Sequence, residues 1–337
     1  MNRKTAIALL FMATLLNLAA CTQNSLSFDG SGHQSHIVEV VPGDSISDAI
    51  RHAKPGTDIL VRAGTYHEAV AFTRSGTEGA PIRLISADGK GAATIVSDKT
   101  GIYGFGSKYV GVFGFRVIAG AKGQGIHFGM SGSDLTNTSH YVRDVVIADN
   151  IIEGAGQDGI KISQADNIRL LRNVIRNSGT DRNANGDGGI DWVAVNRSQA
   201  IENLVENSNG HTCFMLKGGS EENLIFGNIM RGCERDGMTV GGMSVGWMRP
   251  GTNSEARNNT VVKNDIQAGK YGLVIFGATG NVVKDNVCDG KMGCIAELAS
   301  STARLPGGHE LWGNHDNRIS NNWRTRERSD LVGFAGR

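Results

Sequence analysis

Beyond residue 100 the chain repeats one pattern of apolar and polar positions: an apolar pair, a polar residue, an asparagine, then an apolar residue. It occurs as IADNII, LLRNVI, AIENLV, IFGNIM, VVKNDI and VKDNVC, with the asparagines at Asn150, Asn173, Asn203, Asn228, Asn264 and Asn286. The basal spacing, roughly 23 residues before insertions lengthen it, is too short for helical-pair repeats. Each unit also carries a second alternating segment: GIHFG, GIKIS, GIDWV, CFMLK, GMTVG, GLVIF and GCIAE. Alternation at period two reads as strand. Asparagine at a fixed place tolerates a left-handed corner and can form side-chain ladders up a stack. The pattern predicts an all-β fold, a single-stranded right-handed parallel β-helix.

Upstream, DILVRAGTYHE and APIRLISADG alternate as short strands. Between residues 45 and 53 the period changes: Ile46, Ala49, Ile50 and Ala53 share one face of a short helix that starts on Ser and Asp. A solenoid needs a polar cover over its open end, so this helix is expected to cap the stack. The β-helix domain is assigned to residues 37–337.

The same alternation separates the two faces of the second strand. Ile126 and Phe128, Ile160 and Ile162, Ile190 and Trp192, Phe214 and Leu216, and Met238 and Val240 point inward. One outward column then reads His127, Lys161, Asp191, Met215 and Thr239. The next reads Gly129, Ser163, Val193, Lys217 and Gly241. Coils stack about 4.8 Å apart, so Lys161, Asp191 and Lys217 are expected within side-chain reach of one another. Long insertions border this strand at residues 130–141, 179–188, 242–256 and 299–315. Insertions on one face of a solenoid make groove walls. These walls offer Trp247, Arg249, His309 and Trp312 for aromatic stacking or pairing with carboxylates.

The start of the chain reads differently. Arg3 and Lys4 precede an apolar run from Ala6 to Leu16 that is short for a membrane span. It ends in Leu18-Ala19-Ala20-Cys21, which resembles a bacterial lipobox; a plain secretory signal is the alternative. Residues 1–20 are thus expected to be a lipoprotein signal, Cys21 the lipidated residue, and residues 21–36 a polar tether. Acyl chains on Cys21 would anchor the protein to a membrane, and Thr22 and Gln23 after the cysteine resemble the outer-membrane signal. In an exported chain the remaining cysteines can oxidise. Cys288 and Cys294 close the short loop CDGKMGC and are the expected disulfide, while Cys213 and Cys233 could bridge neighbouring turns. Net charge is +1, without the basic excess that nucleic-acid binding requires.

PGDSISDAI, PGTDILVRAGTYHE and SGTEGAPIRL resemble the amino-terminal part of pectate-lyase-like β-helix proteins, especially polysaccharide lyases related to chondroitinase B and alginate lyases. Lys217, in CFMLKGGSEENLIFGN, resembles the lysine-bearing strand of those lyases. The resemblance implies β-elimination on an acidic, uronate-containing polysaccharide. That chemistry needs a cation on the uronate carboxylate, a base for the neighbouring proton and often a separate acid. Lys217 is assigned as base, Lys161 as the carboxylate's partner and His211 as the next candidate base. His127, Trp247, Arg249 and Trp312 are assigned to substrate. The next turn reads GMTVGG where the lyases carry an arginine, so that role shifts to Lys161, His127, His211 or Arg249.

DRNANGDGGIDW carries the spacing of a calcium loop, with Asn183, Asn185, Asp187 and Asp191 as ligands and Gly188 at the sharp turn. Ala194 stands where a bidentate Glu would, leaving room for a substrate carboxylate to complete the shell around Ca2+. A turn of Asp, Asn and Gly that hydrogen-bonds its own backbone accounts for the same composition without metal. Two other function classes are weighed. A glycoside hydrolase needs two carboxylates at close range, and Asp187 with Asp191, or Asp158 with Asp236, are the candidates. A non-catalytic lipoprotein that binds exopolysaccharide would show binding without an unsaturated product.

Overall fold

The computed structural model describes residues 36–181, 188–242, 244, 246–298 and 313–324. The signal, Cys21, nearly all of the tether, Asn183, Asn185, Asp187, His309 and Trp312 lie outside the described residues. The chain from Ser35 onward forms one compact unit, a right-handed parallel β-helix. The first described strand, His36–Val40, pairs in parallel with Thr57–Val61.

Coils stack with every ladder in the helix parallel. One column of strands runs through Ile102–Phe105, Ile126–Gly129, the start of Ile160–Leu171, Gly188–Asn196, Thr212–Lys217, Asp236–Gly241, Tyr271–Phe276 and Gly293–Leu298. The opposite sheet holds nine strands, from Gly64–His67 to Val287–Gly290. The inward residues named above are fully buried, and Trp192 meets Phe214 edge-on at 5.4 Å. Periodicity and packing agree.

The asparagines form an internal ladder. The Asn150 side-chain amide donates to the Oδ1 of Asn173, Asn173 to Asn203, Asn203 to Asn228, Asn228 to Asn264, and Asn264 to Asn286. Each Oδ1 also accepts the backbone N–H of the preceding asparagine. The left-handed corner sits one residue earlier than the repeat suggests, at Asp149, Arg172, Glu202, Lys263 and Asp285, all with φ between 52 and 59°. The corner turns the chain and the buried asparagine satisfies the polar backbone it exposes. A second ladder, Asn223 to Asn259 to Asn281 to Asn317, runs beside it.

Helix α1, Ile46–His52, closes the amino-terminal end. Ser45 caps it by accepting the Asp48 N–H at 3.2 Å, and the Glu68 carboxylate takes the N–H groups of Ile46 and Ser47. Ile46 and Ile50 are fully buried and join the solenoid core. Two disulfides form, Cys288–Cys294 and Cys213–Cys233.

Candidate functional site

Strand register sets the site. His127 pairs with Lys161, Lys161 with Asp191, and Asp191 with Met215, one coil to the next. In the adjacent column Ser163 pairs with Val193 and Val193 with Lys217. Because these positions alternate with fully buried residues, their side chains leave the barrel on one face.

Three of them converge. Asp191 points outward yet is completely buried. Its Oδ2 accepts from Lys161 Nζ at 2.5 Å, and its Oδ1 lies 3.2 Å from Lys217 Nζ. The second contact meets the distance of an ion pair without the angles of a hydrogen bond. Lys161 also reaches Asp158 at 3.4 Å, whose other oxygen accepts the Gly188 N–H. The lysine side chains keep 24% and 17% of their surface, so the cluster has a buried anionic centre and a cationic outer edge.

Burial alone would raise the Asp191 carboxyl; the Lys161 ammonium, then that of Lys217, outweigh it and hold it below the usual carboxylate range. His127 is shifted too. Burial first, then the Lys161 charge, push its imidazole down to about 4, against a smaller opposing pull from Asp191. His127 is therefore neutral at pH 7 and can accept a proton there.

The remaining assignments separate. His211 is exposed and directly precedes the strand Thr212–Lys217, six residues before Lys217, or about 20 Å at ~3.3 Å per residue. It does not join the cluster. Arg249 is engaged by protein: its guanidinium forks onto Asp166 at 3.0 and 3.1 Å and stacks over Tyr141 at 5.1 Å. Its planar fork clamps the 242–256 insertion against a coil three turns back. Trp247, in the same insertion, is 58% exposed, and its carbonyl accepts from Gln164.

Glu255 was not legible from the sequence. It is wholly buried, and its carboxylate takes the N–H of Gly218 at 2.7 Å and of Ser244 at 2.6 Å. It thereby ties the insertion to the residue directly after Lys217. A glutamate inside an irregular segment carries no periodic signal that would single it out. Asp166, which also pairs with Arg197, hid in the same way as an ordinary turn residue.

Asp191 is a poor calcium ligand as placed, because both carboxylate oxygens already face ammonium groups and a cation would have to displace them. The other three proposed ligands lie outside the described residues, and no group of three or more metal-binding side chains occurs among the described ones. The hydrolase pair does not meet either. Asp158 and Asp236 sit three coils apart, through Gly188 and Thr212, or about 14 Å at ~4.8 Å per coil. Glycosidase carboxylates stand roughly 5–9.5 Å apart.

A family model described as right handed beta helix region matches residues 125–324. No curated protein sequence matches the chain. Among solved structures, it is similar to the A-module of a mannuronan C-5 epimerase from Azotobacter vinelandii, at 16% identity and TM-score 0.52, over 82% of each chain. It is similar to a pectate lyase at 14% identity and TM-score 0.50, over 87% of this chain and 81% of the other. A protein of Geobacillus virus E2 gives 14% identity and TM-score 0.51, over 82% of this chain and 57% of the other. Identities this low establish the shared fold.

Proposed function

This chain belongs to the right-handed β-helix family, and from that premise we propose that it cleaves a uronate-containing polysaccharide by β-elimination. One observation carries the reading: two lysine ammoniums held around a buried carboxylate on the outward face of one sheet. A uronate seated over that edge would have its carboxylate neutralised by Lys161. The proton beside the carboxylate would pass to Lys217, and the glycosidic oxygen would leave as the ring double bond forms. Charge balance distinguishes the two lysines. Deprotonating Lys217 leaves Lys161 and Asp191 as a closed pair, whereas deprotonating Lys161 would strip both Asp191 and Asp158 of a partner. The polymers named for the pectate lyase and the mannuronan epimerase are both acidic polysaccharides, which supports the substrate class.

Export is part of the proposal. The apolar leader and Cys21 carry it, with a lipid anchor in the outer membrane, and the two disulfides accord with an oxidising compartment.

His127 is the second candidate base, because its imidazole is already neutral well below pH 7. Turnover of pectate, alginate and glycosaminoglycan-like polymers, followed by absorbance of the unsaturated product, tests both. Lys217→Ala should lower kcat at least ~100-fold, the contribution of a positioned general base, with KM little changed. Lys161→Ala should mainly raise KM. With His127 as base, activity is full at neutral pH and falls only as the pH approaches about 4. A wild-type protein that releases no unsaturated product from any of these polymers removes the elimination reading.

A further inference from the structure

We infer that Phe105 is a sugar-stacking platform, a subsite two coils from Lys161 and four from Lys217; this rests on the polysaccharide reading above. Isolated exposed apolar residues are ordinary on a protein surface and need no ligand to explain them. Phe105 differs by its place. It is 51% exposed and stands in the outward column that leads to Lys217, through Gly129, Ser163 and Val193. Four coil steps separate Phe105 from Lys217, about 19 Å at ~4.8 Å per coil. That distance suits a short run of linked sugar rings lying along the stack.

The ring is held in advance of any ligand. His127 meets it at 5.2 Å with planes 84° apart, and Tyr103 approaches at 6.0 Å. These two aromatic neighbours restrict its rotation, so little freedom remains to be lost on binding. Gly129, the next residue of the column, leaves room for its neighbours to lie together: a Cβ there would come 2.8 Å from Ser163 Oγ, 3.2 Å from His127 Nε2 and 3.5 Å from the Phe105 ring.

Trp247, in the 242–256 insertion, is a second exposed aromatic residue, and its backbone reaches this face. Its carbonyl is bonded to Gln164, next to Ser163 and two coils from Phe105. An apolar ring face with lysine ammoniums farther along the same face matches an acidic oligosaccharide. Pyranose C–H faces pack on aromatic rings while the carboxylates seek ammonium groups.

The test uses the full chain carrying Lys217→Ala, so that ligand is not consumed, and calorimetry with hexasaccharides and disaccharides of galacturonate and of alginate. Adding Phe105→Ala should weaken hexasaccharide binding about three- to tenfold, the range of one aromatic contact, and should weaken disaccharide binding less. Phe105→Trp should restore the affinity. Met292→Ala, an exposed apolar residue elsewhere, should leave it unchanged. Equal affinity of the Phe105→Ala protein and its parent for every saccharide overturns the platform, as does a parent that binds none of them. Turnover by the unsubstituted protein is read separately. Phe105-dependent binding without unsaturated product keeps the platform and removes β-elimination; product with Phe105-indifferent binding does the reverse.

Discussion

Asp191→Asn isolates the charge at the centre of the cluster with almost no change of shape. In the wild-type protein the carboxylate faces one ammonium at 2.5 Å and a second at 3.2 Å, with no surface of its own exposed. The amide keeps one acceptor oxygen, so one lysine can retain a hydrogen bond. Two largely buried ammoniums would otherwise share a site without their counter-charge. Removing one partner of a buried pair costs about 3–5 kcal/mol, and the retained acceptor argues for the lower half of that range. Denaturant unfolding at pH 7 should therefore show a loss of about 3–4 kcal/mol, a displaced midpoint with an unchanged slope. The pH dependence gives a sharper reading. The folded-state carboxyl lies below its ordinary value, so its contribution is fully present above about pH 4 and is lost as pH falls through the depressed folded value. The gap between wild type and variant should be constant from pH 7 to about 5 and close only below about 4. A variant within about 1 kcal/mol of wild type at pH 7, or a gap already closing near pH 6, would refute the ion-paired cluster.

Two further perturbations probe the frame and the loop. Asn203→Ala removes the acceptor of both the Asn173 N–H and its side-chain amide, and the donor to Leu170 and Asn228. Orphaning two buried donors at about 1–3 kcal/mol each predicts a loss of about 3–5 kcal/mol, measured by the same unfolding assay, and a loss below about 1 would mean the ladder is not a structural element. Asp191 should contribute nothing to any calcium held by the 181–191 loop. Calorimetry should find calcium affinity within about twofold of wild type in Asp191→Asn and clearly weaker in Asp187→Ala, whereas a tenfold loss in Asp191→Asn would restore Asp191 as a ligand.

The coil architecture was legible in the sequence because it is a local, repeated property. Asparagine at a fixed place and apolar residues at period two specify each coil from its own few residues. Stacking then copies the register from one coil to the next. Once Ile160 is known to point inward, Lys161 points outward and Asp191 lies beside it. That is why the Lys161, Asp191 and Lys217 grouping could be read before any coordinates. The ladder's exact geometry could not. Which residue takes the left-handed corner, Glu202 or Asn203, depends on where the buried carbonyls need a donor. The site's closure was also a tertiary matter. The 242–256 insertion has no repeat to fix its path, so its course is set by long-range contacts: Glu255 on Gly218, Arg249 on Asp166, and Gln164 on Trp247. Those contacts turned Arg249 from a free surface cation into a clamp. Strand length placed His211 far from Lys217, and the ammoniums around Asp191 assigned that carboxylate to lysine instead of metal. Alternation decides which way a side chain points; only the packed chain decides what it meets there.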